Sequence, residues 1–372
     1  MAYLIFLCIN VAFCVSLGIK NNTSVTVKRP SRLSNPRLLF LLTFGIWVLF
    51  IGLQYNVGKD YFSYLLYFSD KKLAGWLGAA KNEIFFSGLA IFVITNNLDP
   101  QLGIILCAFI TMAGLFAYIM YLDVKYLYAY IYLYFTISIS FYNQFNAIRQ
   151  YIAVSFFLLA IICIIERKLV LYVLCILIGA GFHQSLLFLA PFYFLAILFE
   201  KSNVTVLFLA LAGSSLLSVI NLEKIILSWL EYIAPYAHYI GGEYAATRIP
   251  LTTRLVRYSN LPVYFLSLLC YKYIRARKER VLFAIGIFSF CLKLIALNTI
   301  LLMRVTHYFE VSLVYPIYFL VKTLLERAAF FRYEKELLLI VIFLITFGIL
   351  CIKCFFVSDG YTYASILFKT QG

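Results

Sequence analysis

Charged side chains are scarce in this sequence: 13% of its 372 residues, against 64% hydrophobic. That balance excludes a soluble domain, whose surface needs far more charge. Also missing is the apolar–polar alternation of a transmembrane barrel, which leaves helices as the structure that satisfies its own backbone in lipid. No clustered carboxylates point to a divalent metal. The nine cysteines sit inside apolar runs, Cys351-Ile-Lys-Cys354 included, and read as small packing residues. No internal repeat, low-complexity tract or soluble domain is visible. A cleavable signal is not expected either, because no basic flank precedes the first apolar run, Met1–Ile19.

What is present is a series of apolar runs near the length that crosses a bilayer, with a mean hydropathy of +0.94. The formal charge of +15 raises a nucleic-acid partner, but much of it falls in short loops between these runs. Positive-inside topology explains most of it, so no nucleic acid is expected. The first run is followed by Lys20, Lys28, Arg29, Arg32 and Arg37, which orients its N-terminus outside.

The second run, Leu38–Gln54, returns outward to a polar loop, Tyr55–Glu83. The next piece, Ile84–Leu98, is apolar but short. Counted as a crossing, it would put Arg167, Lys168, Lys201, Lys272, Arg275, Arg277, Lys278 and Arg280 outside. Counted as re-entrant or interfacial, it puts them inside, along with Lys322, Arg327, Arg332 and Lys335, which is the favoured choice. The remaining expected crossings are Leu102–Tyr121, Tyr126–Tyr142, Tyr151–Ile165, Leu169–Phe182, Leu186–Phe199, Val204–Ile220, Leu261–Ile274, Val281–Leu297, Val305–Val321 and Leu337–Val357. The expectation is one all-α polytopic membrane domain over residues 1–372, with about twelve spans and both termini outside. Its outer loops are residues 55–83 and 221–260, the second opening on an interfacial helix with Ile225, Ile226, Trp229, Leu230 and Ile233 at helical spacing.

That topology sorts the polar residues. Asp60, Asn146, Arg149, Gln150, His183, Arg248, Arg254, Arg257, Arg304 and His307 all fall on or near the outer face. Arginines are unexpected there, and an anionic partner is the natural cause, because guanidinium binds phosphate oxygens in a bidentate way. Asn146, Arg149 and Gln150, spaced i, i+3, i+4, would share a helical face. The charged hairpin Glu166-Arg167-Lys168 joins two apolar runs and so brings Arg149 and His183 to one mouth of the bundle. Asp60 stands where an N-cap would precede the aromatic helix Tyr61–Tyr67. Tyr64 can stack on a sugar ring, although interfacial aromatic belts need no ligand.

Asn146-x-x-Arg149-Gln150 leading a span, Arg167-Lys168 in the turn and Phe182-His183-Gln184-Ser185 closing the next span resemble the EpsG family. These are Wzy-like polymerases of bacterial exopolysaccharide, capsule and O-antigen. Gly58-Lys59-Asp60-Tyr61-x-x-Tyr64 is similar to the family's Gly-x-Asp-Tyr-x-x-Tyr outer loop. Arg304 with Tyr308-Phe309, and Tyr361-x-Tyr363, are similar to its weaker late motifs. The resemblance covers nearly the whole chain and is specific at the Arg149–His183 block. Gln184 departs from the pattern, standing where the family often carries a basic residue.

The resemblance implies a GT-C-like membrane enzyme without cofactors, acting at the outer face of the bacterial plasma membrane. Its donor would be a chain on undecaprenyl pyrophosphate and its acceptor one lipid-linked repeat unit, with a chain-length regulator as a partner. The residues fit that chemistry. Arginines, Arg149 and Arg304 foremost, meet charge shed onto a diphosphate leaving group, and an imidazole takes the proton of the attacking hydroxyl. His183 and Asp60 are the catalytic candidates. Asn146, Gln150, Tyr61, Tyr64, Arg248, Arg254, Arg257 and His307 are the further substrate-binding candidates. A glycan ligase or acyltransferase, or a transporter of lipid-linked oligosaccharide, remains open; Lys293 and Glu310, inside spans, are where a transport path would show.

Overall fold

The computed structural model describes residues 2–3, 5–12, 36–219, 251–298, 300–326, 334–355 and 363–368. It is helical throughout, with no strand among the described residues and one isolated antiparallel bridge, Gln54 to Ser365. The chain divides into two compact units, Met1–Phe194 with Leu350–Gly372, and Leu195–Ile349.

The first unit is organised on α1 (Pro36–Gly52), α2 (Tyr61–Tyr67), α3 (Lys71–Lys81), α4 (Ile84–Thr95), α5 (Pro100–Leu122), α6 (Leu127–Ile137), α7 (Ile148–Ile165) and α8 (Leu169–Ala180). Local chemistry sets their ends. Asp99 caps α5 by accepting from the Gln101 amide at 2.7 Å, with Pro100 in the first turn, and Asp123 closes it in the left-handed region at φ 51°. Asp70 caps α3 by accepting from Lys72 and Leu73. Arg167, at φ 56°, makes the tight turn between α7 and α8.

Helices α5 and α7 run parallel. Gly114 of α5 faces Ser155, where a β-carbon would come within 2.6 Å of the Ser155 side chain, so the backbones approach closely only because this residue is glycine. At their C-terminal ends the Tyr121 hydroxyl bonds Glu166. At their N-terminal ends sits a cluster of Tyr64, Phe68, Leu77, Phe86, Ala90, Val93, Ile104, Cys107, Ile148, Ile152 and Phe182, drawn from α2 and the residue after it, α3, α4, α5, α7 and the turn after α8. Helix α1 runs opposite to α5, its Phe40 against Phe116 and its Gly52 carbonyl accepting from the Gln101 side chain at 2.7 Å.

Helix α4 starts and stops at this same end. Its first amides, Phe85 and Phe86, donate to the Gly181 carbonyl at 2.8 and 3.3 Å, beside the start of α7, and its last turn leads within five residues into α5. Those carbonyl contacts satisfy donors that a helix N-terminus leaves open. Twelve residues rise about 18 Å, well short of a hydrocarbon core of about 30 Å, so α4 fits a re-entrant or interfacial piece rather than a crossing.

The second unit packs α9 (Val204–Leu217), α10 (Leu251–Leu269), α11 (Arg277–Ile295) and α12 (Val314–Glu326). Tyr264 of α10 stacks on Phe290 of α11 at 3.8 Å, and Gly286 admits Pro316 of α12. Arg277–Glu200 and Lys322–Glu279 form ion pairs in this unit.

Helices α5 and α7 are each long and apolar enough to cross a bilayer, and Leu302–Phe309 with Val314–Glu326, bent by 41°, makes a third if it is one span. Other apolar helices run 10–17 residues. Large apolar side chains such as Val170, 73% exposed, and Leu198, 62% exposed, have no place in water; the chain is a helical membrane protein.

Several expected spans are interrupted. Tyr126–Tyr142 breaks at the extended Ser138, and Leu186–Phe199 starts as a tighter 3-10 stretch, Gln184–Leu189, before Pro191. Val305–Val321 breaks at residues 307–313. The start of α10 at Leu251 corrects the loop expected over 221–260: residues 251–260 are helix, since Arg254, Arg257 and Tyr258 share turns with the apolar positions that follow. The interfacial helix at 225–233 lies outside the described residues.

An α4 that does not cross gives a direct prediction. In a background without native cysteines, single cysteines at the exposed positions Lys81 and Asn96 should react with an impermeant maleimide from the same side of the membrane. One at Lys168 should react only from the other. Labelling of Lys81 and Asn96 from opposite sides would make α4 a crossing and reverse every later loop.

Candidate functional site

An arginine in the first turn of a helix opposes the helix dipole, so Arg149, second residue of α7, needs a partner. It finds Glu83, the residue before α4, whose Oε2 accepts from Arg149 Nη1. The other oxygen of the same carboxylate, Oε1, lies 2.7 Å from His183 Nδ1. Glu83 is 3% exposed, while the Arg149 and His183 side chains keep 22% and 24% exposure. One buried carboxylate thus holds a cation and an imidazole that both reach the surface.

Aromatic rings complete the arginine's surroundings. Its guanidinium lies 5.5 Å from the Tyr67 ring centre and 5.8 Å from that of Phe86, and it bonds the Tyr64 side chain. Burial pushes the Tyr64 phenol up to about 12, Arg149 opposing the rise and Asp60 adding to it. Tyr64 is therefore a neutral phenol at pH 7, with its oxygen accepting from a guanidinium that has no acceptor of its own. Arg149 Nε has no hydrogen-bond partner among the described residues.

The loop before α2 is clamped onto the start of α7. Gly58 has φ 79°, and a β-carbon there would meet Asn146 Oδ1 at 2.9 Å, so both backbone angle and space require glycine. The Asp60 amide donates to Asn146 Oδ1 at 3.0 Å. Asp60 occupies the N-cap position of α2, yet its side chain makes no capping bond and stays at the surface. Tyr61 is buried and its hydroxyl donates to Gln101 Oε1 at 2.7 Å. Gly58, Tyr61 and Tyr64 of Gly58-x-Asp60-Tyr61-x-x-Tyr64 thereby acquire a reason for their places, and the Asp60 side chain is left open.

Asp60, Tyr61, Tyr64, Asn146, Arg149 and His183 all lie in the first unit, at the N-terminal end of α7. The expected common face of Asn146, Arg149 and Gln150 does not form. The helix begins at Ile148, so Asn146 sits in the preceding turn, and Gln150 is 6% exposed. Tyr363 stacks on Phe50 at 4.0 Å and serves packing; Tyr361 lies outside the described residues.

The other candidates belong to the second unit. Arg257 is buried and donates to the Lys293 carbonyl at 2.7 Å, while Arg254, one turn earlier, is half-buried. Lys293 Nζ lies 2.9 Å from the Glu310 carboxylate, which is fully buried. Arg304 is exposed, and His307 is half-buried three residues before Glu310. Arg248 lies outside the described residues. Arg257 is therefore a helix-joining group rather than the loop cation its surroundings in the sequence suggest.

Glu83 is the residue the sequence reading missed, taken only as the end of an outer loop. Its signal was a lone acid abutting an apolar run, and its partners lie 66 and 100 positions away. Among the described residues no group of three His, Cys, Asp or Glu could hold a metal ion.

The Lys293–Glu310 pair yields a stability prediction. Lys293→Met takes away the cation 2.9 Å from the buried Glu310 carboxylate, a loss of about 3–5 kcal/mol, whereas Lys293→Met with Glu310→Leu removes both charges and recovers most of it. Melting of detergent-solubilised protein should fall sharply in the single variant and recover in the double. Equal melting of the single variant and the wild type would mean that Glu310 takes up a proton at little cost.

A search of curated proteins and a search of solved structures each returned no match. The model of the EpsG family matches residues 37–367, nearly the whole chain and every described site residue. Membership carries a polysaccharide polymerase-like role. This chain belongs to the EpsG family.

Proposed function

We propose that the protein joins lipid-linked oligosaccharide repeat units into a polysaccharide at the outer face of the bacterial plasma membrane. In this reading the chain crosses the bilayer about twelve times, counting its shorter and broken helices. The donor is a growing glycan on undecaprenyl diphosphate and the acceptor one lipid-linked unit. The observation that carries the reading is the pairing of Arg149 and His183 on the Glu83 carboxylate: a fixed cation beside a base, both open to solvent.

The acceptor hydroxyl oxygen attacks the donor's anomeric carbon as the bond from that carbon to the diphosphate oxygen breaks. The bonding electrons leave with the diphosphate, and the hydroxyl proton passes to His183. Displacement in one step inverts the anomeric centre. Charge grows on the leaving diphosphate as the sugar becomes oxocarbenium-like, so a guanidinium held in place stabilises the transition state more than the ground state. A base in this position contributes about a hundred- to ten-thousand-fold. Asp60, uncommitted to capping, orients the acceptor sugar. Arginine meets the leaving charge without a metal in this scheme. Arg248, Arg254, Arg304 and His307 are further candidates for contacts to anionic substrate.

The buried Lys293–Glu310 pair beside the helix break favours one alternative, movement of lipid-linked oligosaccharide across the membrane. Cells or membranes expressing variants at matched protein levels separate the two. Arg149→Lys keeps the charge but loses the planar fork, and polymer should fall at least tenfold while lipid-linked repeat unit accumulates outside. His183→Ala should act likewise with binding of lipid diphosphate retained, and Asp60→Asn should lose less. Accumulation of repeat unit on the cytoplasmic side would favour transport. Near-normal polymer in His183→Ala with none in Asp60→Asn would transfer the base's role to the carboxylate.

A further inference from the structure

Glu83 stands at the N-cap position of α4 but gives its side chain no capping bond; the helix's first amides go to the Gly181 carbonyl instead. Gly181 is two residues before His183. Backbone therefore already pins α4 to the His183 segment, and the carboxylate is not needed for that purpose. It is nevertheless buried, at a cost that only its partners offset. A carboxylate that accepts from a guanidinium on one oxygen offers its other oxygen as an acceptor. The proton in its 2.7 Å contact with His183 therefore resides on Nδ1.

We propose that Glu83 is the positioning residue of this site. Its Oε1 holds His183 as the Nδ1–H tautomer, so that Nε2 keeps the lone pair that takes the acceptor's proton. Its Oε2 holds the Arg149 guanidinium, which balances the carboxylate's charge. Tyr64 and Tyr67 of α2 face Arg149, and Asp60 of the preceding loop acts on Tyr64. Tyr64 is engaged with Arg149, which leaves Glu83 as the acceptor for His183 Nδ1. The inference rests on reading His183 as the base, and it adds the group that makes a base of one ring nitrogen rather than the other.

The test uses full-length protein and the variants Glu83→Gln, Glu83→Asp and His183→Ala. A glutamine is the same size, but its amide can donate to Nδ1 and so move the ring proton to Nε2. An equivalent tautomer error in a Ser-His-Asp triad costs about ten-thousand-fold in turnover. Glu83→Gln should lose turnover on that order with little change in KM for the lipid-linked unit, and Glu83→Asp should recover part of it. The chain has three histidines, so nitrogen-15 spectra of protein labelled only at histidine are simple, and His183→Ala identifies the signal. The wild type should show Nδ1 protonated and Nε2 bare, with Glu83→Gln reversing the two. A wild-type spectrum with the proton on Nε2 overturns the proposal even if Glu83→Gln fails to accumulate. Full turnover in Glu83→Gln, or lost turnover with the tautomer unchanged, overturns it while leaving His183 as base. Full turnover in His183→Ala overturns the reading of the base itself, and the spectra still decide the hold of Glu83 on the ring.

Discussion

A carboxylate removed from water must be met by donors, and in this protein Glu83 is met by Arg149 and His183. Three segments far apart in the chain converge on that one group: the turn into α4, the first turn of α7 and the turn after α8. Around it the packing is consistent. Gly181 receives the amides of α4, Phe182 stacks on Phe156, and Gly58 yields space for Asn146. Removing the carboxylate would leave an arginine facing the N-terminal, positive end of its own helix. The constraint therefore serves fold and chemistry together.

The lipid environment supplies the second constraint. A helix in hydrocarbon satisfies its own backbone, so a break needs other partners. Breaks here fall where polar groups can serve: Ser138 bonds the Ser140 amide after α6, and Tyr264 donates to the Leu313 carbonyl at the break before α12. The candidate residues of the first unit stand at helix ends, Asp60 before α2, Arg149 in the first turn of α7 and His183 after α8. The EpsG family is associated with polysaccharide polymerases, and the function proposed above asks for reactive groups at a membrane surface and apolar faces for polyprenyl tails.

Helix existence was largely legible in the sequence, because long apolar runs have one solution in lipid: α5, α7 and α8 lie within a few residues of their expected positions. So was the meeting of Arg149 and His183, which follows from the parity of a two-helix hairpin. Breaks and starts were less legible. Ser138 is apolar in context, and the polar first turns of α10 look like loop until Arg257 is seen bonded to the Lys293 carbonyl. Glu83 was hidden for a different reason: its partners are joined to it by tertiary packing, and no local spacing encodes contacts across 66 and 100 positions.

The central claim is bond formation between repeat units by this chain alone. Purified protein in lipid nanodiscs, given a defined undecaprenyl-diphosphate-linked repeat unit as both donor and acceptor, tests it most directly by mass spectrometry of the products. The account predicts a ladder spaced by whole repeat units, one undecaprenyl diphosphate released per bond, and inversion at each new linkage. Unchanged repeat units that have only moved across a sealed bilayer, or a product that retains the donor's anomeric configuration, would contradict it.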